Sequence, residues 1–480
     1  MRDLARRALD TATGRGATYA DVRVVDLRSE GIAVKNGRVE AIRADESQGF
    51  GVRVLVDGAW GFASSALLTG QEADRIAAQA VAIARASALV RRHPVELGPP
   101  VPTRGRYVTP VARDPFAISF EERIALLLEA DRAMRRQKSI VVAEGRIGCE
   151  RQQKLFLSSE GADVEQELTE TGVGIECTAR GEDETQTRSY PNSFGLHMGT
   201  EGWEFVERQA ITANAERIAG EADALLSAKQ CPGGVTTVIL DSSQTALQVH
   251  ESCGHPIELD RVWGSEAAYA GTSFLTTDKL GAFDYGSGEV TIVADATVPG
   301  GLGTFGYDDE GVPAQRTPIV DRGRFVGYLT SRETAARLGQ SSNGTMRAEG
   351  WNRLPLIRMT NINLEPGDWT LEDLIADTDD GIFLQTNRSW SIDDRRLNFQ
   401  FGTEIAWEIT GGKRGALLKN ATYSGITPRF WGGCDAVCNR DEWTIWGIPN
   451  CGKGQPPQTM HVGHGAAAAR FRNVQVGLMR

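Results

Sequence analysis

Apolar and polar residues alternate along residues 20–65, and two dipeptides interrupt the alternation. These dipeptides, Asn36-Gly37 and Asp57-Gly58, are typical of tight turns between antiparallel strands. We therefore predict an antiparallel meander over this segment. The spacing of apolar residues before and after the meander is helical, which predicts a helix on each side of it.

A second group of elements follows a proline-containing connection. Ser119 and Glu122 match a capping box, which predicts a helix that begins there and reaches about Gln137. Strands are predicted over 141–178, and one further helix over 203–228. The "CPGG" segment would end that helix, so we place the main domain boundary between residues 231 and 232.

The second half of the chain is rich in glycine and in short strand-like segments. A strand at "VTTVILD" is followed by polar residues that can cap a short helix, beginning near Ser243. Only "SRETAARLG" and "TLEDLIADT" are helical in pattern beyond it. The sequence thus predicts an α+β protein. Residues 1–231 form an N-terminal α/β domain with antiparallel hairpins and helices, and residues 232–480 form a C-terminal, mostly antiparallel β domain that carries a short candidate metal-binding helix.

Composition excludes some classes of partner. The chain has 480 residues, a net charge of −11 and a pI near 5.3, and it contains no basic stripe. We therefore expect no nucleic-acid partner and no acidic membrane surface as partner. No run approaches the roughly 18 apolar residues of a membrane span, so we expect a cytoplasmic protein. The seven cysteines are odd in number and scattered, which favours free thiols over a disulfide framework.

The segment "LQVHESCGHPIELDR" holds two of the six histidines, His250 and His255, with Glu251 directly after the first. Zinc peptidases often carry H-E-x-x-H on one helical face. Here the spacing is five, which on a regular α-helix turns the second side chain roughly 140° away from the first. Pro256 predicts that the helix ends at or before Gly254, whose conformational freedom would allow a turn to aim His255. We favour two metal ligands and a general base over packed histidines.

A catalytic zinc usually has three protein ligands and one open position, so a third ligand is expected. The candidates by residue type are Cys253, Glu258, Asp260, Cys434, Cys438, Cys451, His461 and His464. Cys451 lies between Asn450 and Gly452, close to Lys453, a setting that suits a thiolate. Residue type and spacing leave the choice among these candidates open.

A series of segments in the second half resembles signatures of the TldD/PmbA family of bacterial and archaeal peptidases, in its TldD branch. The segments are "VHESCGHPIELDR", "DDEGVPAQRTPIVDRGRFVGYL", "RLPLIRMTNINLEPG", "FQFGTEIAWEI" and "NCGKGQ". The resemblance covers the whole second half, and the hairpin-rich first half is compatible with the N-terminal α/β domain of that family. An ordered series of this kind is far more specific than the histidine motif alone.

The resemblance implies a set of site residues. In the family, H-E-x-x-x-H supplies two zinc ligands and the catalytic glutamate, and a cysteine in a C-terminal C-G-K segment supplies the third ligand. It implies that His250, His255 and Cys451 bind Zn2+ and that Glu251 is the base. It also implies unfolded or short peptide substrates, bound as an added strand, with Arg358 and Asn361 of "RMTN" as expected substrate-binding residues.

The resemblance also bears on partners and on the competing hypotheses. Family members form dimers, and TldD-branch subunits often pair with a PmbA-branch paralogue that lacks the metal motif. A homodimer, or a heterodimer with a PmbA-like paralogue, is therefore expected. One competing hypothesis is a non-catalytic partner subunit or scaffold, which the intact motif and Cys451 disfavour. The other is a thiol hydrolase that uses Cys451 or Cys253, for which the sequence offers no group to orient a histidine base.

Overall fold

The computed structural model describes residues 1–454 and 457–477. The first part of the chain contains eight strands, which all belong to one sheet. They are β1 (Tyr19–Lys35), β2 (Arg38–Val56), β3 (Ala59–Ser65), β4 (Arg104–Val108), β5 (Ile140–Ser158), β6 (Asp163–Arg180), β7 (Thr185–Tyr190) and β8 (His197–Gly199). Five helices accompany them: α1 (Arg2–Gly14), α2 (Gly70–Ala88), α3 (Phe120–Met134), α4 (Glu204–Gln209) and α5 (Ile211–Ser227).

The strand order of this sheet is β3-β2-β1-β5-β6-β4, and β7 and β8 both pair with β6. The pairing is antiparallel except between β4 and β6. The meander predicted from the two turn dipeptides is confirmed as β1, β2 and β3, with Asn36 and Asp57 at φ +48°. Helices α1 and α2 bury the apolar face of one end of the sheet, while α3 and α5 cover the other end.

Two local predictions in this part had different outcomes. The capping box at Ser119 is confirmed, because its hydroxyl accepts from the Glu122 backbone N–H while the Glu122 carboxylate accepts from the Ser119 N–H. The single helix predicted over 203–228 is wrong. The chain forms two helices that meet at Ala210, whose φ of +48° is outside the helical region.

The second part of the chain is mostly antiparallel β, as predicted. Its strands, within the described residues, are β9 (Lys229–Gln230), β10 (Gly234–Leu240), β11 (Ile292–Asp295), β12 (Arg316–Asp321), β13 (Arg324–Phe325), β14 (Met346–Arg347), β15 (Leu356–Ile357), β16 (Ile362–Leu364), β17 (Asp380–Ile392), β18 (Asn398–Thr410), β19 (Lys413–Lys419), β20 (Thr422–Ile426), β21 (Cys434–Val437), β22 (Thr444–Lys453), β23 (Gln458–Ala466) and β24 (Ala469–Val476). Its helices are short: α6 (Ser242–Val249), α7 (Leu259–Val262), α8 (Arg332–Arg337), α9 (Leu371–Ala376) and α10 (Thr427–Gly432). Helices α8 and α9 are the two predicted from sequence.

The larger sheet of this part follows the order β17-β10-β24-β20-β18-β19-β9, and β21 also pairs with β24. An additional pairing of β17 with β18 closes part of this path into a ring. A four-stranded sheet, β13-β12-β11-β16, and the hairpin β22-β23 lie beside it. Helix α6 packs against β17, β16 and β23, so the candidate motif lies in the core of this half.

Across the residues that the structure describes, helices lack the combination of length and apolar character that a bilayer crossing requires. The chain passes from the first sheet to the second through α5 and β9. The predicted division into residues 1–231 and 232–480 stays a prediction.

Candidate metal centre

The motif begins on α6 and ends on a π-helical turn. The Asp241 carboxylate caps α6 by accepting from the Gln244 backbone N–H. After Val249 the chain widens into a π-turn over His250–Gly254, and the His255 N–H donates to the His250 carbonyl oxygen at 3.2 Å. In an i→i+5 turn, residue i+5 returns to the side of the helix that residue i occupies. This is why a spacing of five puts both imidazoles on one face.

The local structure that we predicted to orient His255 is wrong on two points. His255 keeps helical dihedral angles, φ −67° and ψ −43°, although Pro256 follows it. The bias of a residue before proline is therefore overridden here. Gly254 is required for space, since a Cβ built there would lie 2.2 Å from the Sδ atom of Met359. Its φ does not belong to the left-handed region.

Three potential ligand atoms converge at this turn. His250, His255 and Cys451 each offer one atom, and the three atoms lie within 4.8 Å of one another. The Cys451 Sγ atom is 3.8 Å from Nε2 of His255. Ligands around a tetrahedral zinc, at about 2.0–2.1 Å for nitrogen and 2.3 Å for sulfur, lie roughly 3.6 Å apart. The cluster therefore fits a zinc ion in the chemistry of its donors and in its dimensions.

A chain of hydrogen bonds frees the Nε2 atom of His250. Nδ1 of His464 lies 3.1 Å from the Ile362 carbonyl oxygen, which can only accept, so this nitrogen carries the proton. The Nε2 atom of His464 is then an acceptor, and Nδ1 of His250 donates to it at 2.7 Å. The Nε2 lone pair of His250 is left for a metal. His464 was a candidate ligand by residue type, but the structure places it behind His250.

An analogous arrangement supports His255. Its Nδ1 atom lies 3.1 Å from Oε2 of Glu258, which leaves Nε2 to face Cys451. Lys453 lies 3.4 Å from the same carboxylate and 2.7 Å from Asp260, and its amine is completely buried. Carboxylates that orient metal-ligating histidines in this way are common second-layer partners. Glu258 and Asp260, both candidate ligands by residue type, thus belong to this supporting layer.

Burial sets the protonation of the ligand groups. It lowers the pKa of His250 and of His255 well below the usual value, so both imidazoles are neutral at physiological pH. Burial also raises the pKa of the Cys451 thiol to about 11, and the Arg358 guanidinium opposes that rise. Neutral imidazole is the form that binds a metal, whereas the thiol must lose its proton on binding.

Glu251 forms an ion pair with Arg396 of the β17–β18 hairpin. Nη1 of Arg396, at the tip of the hairpin, lies 2.5 Å from Oε2 of Glu251. Burial raises the pKa of Glu251, and Arg396 and the Trp390 indole oppose that rise. Arg396 has a φ of +62° and lies 145 residues after Glu251 in sequence. No signal in the sequence pointed to it.

Arg358 and Asn361, the expected substrate-binding residues, both contact the protein's own backbone. Arg358 donates to the carbonyl oxygens of Cys451 and Gln458 at 2.5 and 3.2 Å. The Asn361 amide donates to the Asp295 carbonyl oxygen and accepts from the Gly303 N–H. Both side chains are fully buried. Both side chains therefore stabilise the backbone around the site. Contact with a substrate stays a prediction for both.

The remaining candidates lie elsewhere. All seven cysteines are free and buried, as expected for thiols. Cys253 points into the core beside Tyr285, and Cys434 and Cys438 belong to the same apolar cluster. His461 forms a separate group with Glu150 and Glu170.

The chain resembles known proteins along nearly its whole length. Sequence profiles of the PmbA/TldA metallopeptidases match their first domain at residues 20–84, their central domain at 113–225 and their C-terminal domain at 233–478. A metalloprotease of Methanocaldococcus jannaschii is 32% identical over 94% of this chain and 95% of its own length. A metalloprotease TldD homolog of Haemophilus influenzae is 27% identical over 98% of this chain and 94% of its own.

The fold is also shared with a solved structure. TldE from Thermococcus kodakarensis superposes with a TM-score of 0.73 at 17% identity, and the match covers 100% of both chains. At that identity the likeness concerns the fold alone. Together, the sequence matches over nearly the whole length show that the chain belongs to the TldD/PmbA family of metallopeptidases.

Proposed function

We propose that this chain is a zinc-dependent peptidase that hydrolyses unfolded or short peptides, with Glu251 as the general base. The observation that carries the proposal is the convergence of His250, His255 and Cys451, with ligand atoms within 4.8 Å of one another, one residue away from a buried carboxylate. Two imidazoles and a thiolate form a known type of catalytic zinc site that leaves one position open.

The choice of zinc rests on the donor set. Thiolate and imidazole ligands suit zinc, whereas magnesium, calcium and manganese prefer oxygen ligands. His464 and Glu258 accept hydrogen bonds from Nδ1 of His250 and of His255, which fixes the tautomers that present nitrogen lone pairs toward Cys451. A relative from Saccharolobus solfataricus, 24% identical over 68% of this chain, bears the name zinc metalloprotease TldD homolog.

The chain's own residues supply the proton transfers. When bound, zinc supplies a Lewis acid that polarises a carbonyl and makes water acidic near neutral pH. Glu251 takes the proton of the attacking water on its carboxylate and passes it to the amine that leaves. Arg396 keeps this carboxylate in one orientation and favours its ionised, proton-accepting form. Arg358 holds the strand that carries Cys451.

Burial supports the proposed class of substrate. The exposed fractions are 4% for His250, 5% for Glu251 and 3% for Cys451. The surface of a folded protein cannot approach such a site, whereas an extended chain can. An extended peptide also has free backbone N–H and C=O groups, which a folded protein has already paired.

Metal content and one isosteric substitution test the proposal. About one zinc per chain is expected after purification, with hydrolysis of short peptides that a chelator abolishes and zinc restores. Glu251→Gln should keep the zinc and lose roughly 10²- to 10⁴-fold in kcat, the contribution typical of a general base. Glu289→Gln, an exposed site in the same half, is the matched control and should behave as wild type.

Other outcomes would favour the competing hypotheses. A protein with bound zinc that cleaves no peptide would be the non-catalytic partner or scaffold. Hydrolysis that survives complete metal removal would favour a thiol hydrolase, since the Cys451 Sγ atom does lie 3.8 Å from His255. The raised thiol pKa argues against that function, because a nucleophilic cysteine requires a lowered one.

We further propose that the active form is a dimer, either of two copies or with a PmbA-like paralogue. The support is the family membership of the chain. Light scattering on the purified chain, alone and mixed with the paralogue, measures the mass of the particle and so its oligomeric state. A monomer in both samples would contradict the proposal.

A further inference from the structure

A cavity of about 220 Å³ lies between the N-terminal sheet and the second half of the chain. Its apolar walls include Leu27, Leu168, Phe305 and Met460. Met460 is the cross-strand neighbour of Cys451 in the β22–β23 hairpin. Because Met460 lines the cavity and is paired with Cys451, the cavity begins next to the candidate metal centre. A peptide bound at that centre can reach it.

Two glutamates face each other in this cavity. Glu150 on β5 is the direct cross-strand partner of Glu170 on β6, and both line the cavity. Like charges directly opposite in an antiparallel pair are destabilising. His461 joins them from β23, and one atom from each of the three side chains lies within 4.8 Å of the other two. A pair of carboxylates that destabilises the sheet and yet lines a cavity indicates a role in binding.

Only one of the two carboxylates is neutralised within the protein. Oε2 of Glu170 lies 2.5 Å from Nδ1 of His461. Burial alone would lower the pKa of His461, but Glu170 and Glu150 together outweigh burial and raise it to about 9, so the imidazole is charged near neutral pH. Across residues 1–454 and 457–477, Glu150 has neither a hydrogen-bond nor an ion-pair partner for its carboxylate. Burial and Glu170 raise its pKa to about 7.

The other cations of the cavity are engaged elsewhere. The Lys154 amine lies 2.5 Å from Asp309. The Arg347 guanidinium donates to the carbonyl oxygens of Met359 and His461 at 3.0 and 2.7 Å. The cluster of Glu150, Glu170 and His461 carries a net charge of −1 when both glutamates are ionised. The charge of Arg347, which its two carbonyl partners do not neutralise, acts on Glu170, so the carboxylate of Glu150 is the member of the cluster that has no partner among the described residues.

We propose that this cluster binds a primary ammonium group of the peptide substrate, an inference that rests on the proposed peptidase function. An ammonium carries one positive charge and three N–H donors, which match the net charge of the cluster, the unpartnered carboxylate of Glu150 and the acceptor oxygens of two carboxylates. A divalent cation fits less well, because it would need the His461 nitrogen that already bears a proton and contacts Glu170. The ammonium can come from the peptide's amino terminus or from a lysine side chain.

Matched peptides identify the source of the ammonium. One pair is a lysine-free peptide with a free or an acetylated amino terminus, and the other is an acetylated peptide with lysine or norleucine at one position. The zinc-loaded wild type should show a KM roughly tenfold lower for the ammonium-bearing member of at least one pair, as expected for a charged hydrogen bond. Glu150→Gln should remove that difference and leave the acetylated, lysine-free peptide unaffected.

Glu349→Gln is the control, because Glu349 lines the same cavity but is exposed and faces Arg353. It should keep the wild-type preference. Hydrolysis of all four peptides with equal KM, or a preference that survives Glu150→Gln, would overturn this inference alone. If no peptide is hydrolysed, the peptidase proposal fails, and calorimetric binding of the same four peptides still decides whether the ammonium is recognised. A second zinc per chain that Glu150→Gln removes would overturn the inference in favour of a metal site.

Discussion

Nδ1 of His250 and Nε2 of His464 lie 2.7 Å apart, although the two residues are 214 positions apart in sequence. Since Nδ1 of His464 faces the Ile362 carbonyl oxygen, the proton between the imidazoles belongs to His250. His464 thus selects the tautomer of His250 that presents Nε2 toward Cys451. His464, a candidate ligand by residue type, therefore orients the candidate ligand His250.

Replacement of His464 should weaken zinc binding without removing a ligand. We expect His464→Phe to lower zinc affinity by roughly 10- to 100-fold, the usual cost of losing a second-layer partner. His464→Gln should recover part of the loss, because its amide oxygen can still accept from His250. Competition with a chromogenic chelator measures the affinity. Equal affinity in all three proteins would show that His464 does not orient His250.

The cysteines allow a sharper test of the ligand set. Cys451→Ala should lower zinc affinity by more than the roughly 10- to 100-fold expected for a second-layer residue, and activity should fall with it. Cys253→Ala, Cys434→Ala and Cys438→Ala should keep the metal, because these three side chains offer no atom to the group of His250, His255 and Cys451. Cobalt substitution provides the readout, since a thiolate ligand gives a sulfur-to-metal absorption band in the near ultraviolet.

The band should vanish only in the Cys451 variant. Its persistence there, together with full zinc content, would remove Cys451 from the ligand set.

Much of the fold could be predicted because its signals are local. The turns at Asn36-Gly37 and Asp57-Gly58 and the capping box at Ser119 depend on residues within a few positions of each other. The same is true of α8 and α9. The break at Ala210 could not be predicted, since nothing in the sequence distinguishes this alanine from its helical neighbours. Packing against the sheet decides its conformation.

The candidate site was predictable in its motif but not in its surroundings. Local rules predicted that Pro256 ends the helix, yet the π-turn runs on to His255, and Met359 rather than backbone freedom requires Gly254. The contacts of His464 and Arg396 join segments 214 and 145 residues apart. Such contacts depend on the tertiary arrangement, and neither side chain stands in a pattern that marks it.

Arg396 should matter for turnover and not for metal content. It is the charged partner of the buried Glu251 carboxylate, at 2.5 Å. Arg396→Gln removes that charge and lets the carboxylate rotate, so we expect kcat to fall by up to the roughly 10²- to 10⁴-fold that a general base contributes. Zinc content should stay near one per chain, and Arg396→Lys should restore part of the rate.

Arg395→Gln is the matched control, because the neighbouring arginine side chain is exposed. It should keep wild-type kcat. If Arg396→Gln changed KM alone, Arg396 would contact the substrate and would not position Glu251. Full activity in Arg396→Gln would show that the ion pair has no role in turnover.

The His461–Glu170 contact should make stability depend on pH in a defined window. Burial would lower the pKa of His461, but Glu170 and Glu150 outweigh burial and raise it to about 9, from an ordinary value near 6.5 in the unfolded chain. Because the folded pKa is the higher one, the stabilisation is fully present below about pH 6.5 and is lost as pH rises through about 9. At about 1.4 kcal/mol per pH unit, the shift corresponds to at most roughly 3 kcal/mol.

Denaturant unfolding of the wild type and of His461→Gln, each at several pH values, isolates this contribution. The wild type should be the more stable protein at pH 6, and its advantage should shrink steadily toward pH 9. Because His461 and Glu150 act on each other's pKa, the difference reports the cluster of His461, Glu170 and Glu150 as a whole. His93→Gln, at an exposed histidine, should show no such trend. A constant difference between wild type and His461→Gln across the window would mean that His461 is not charged beside Glu170, and the charge balance argued for the ammonium site would then change.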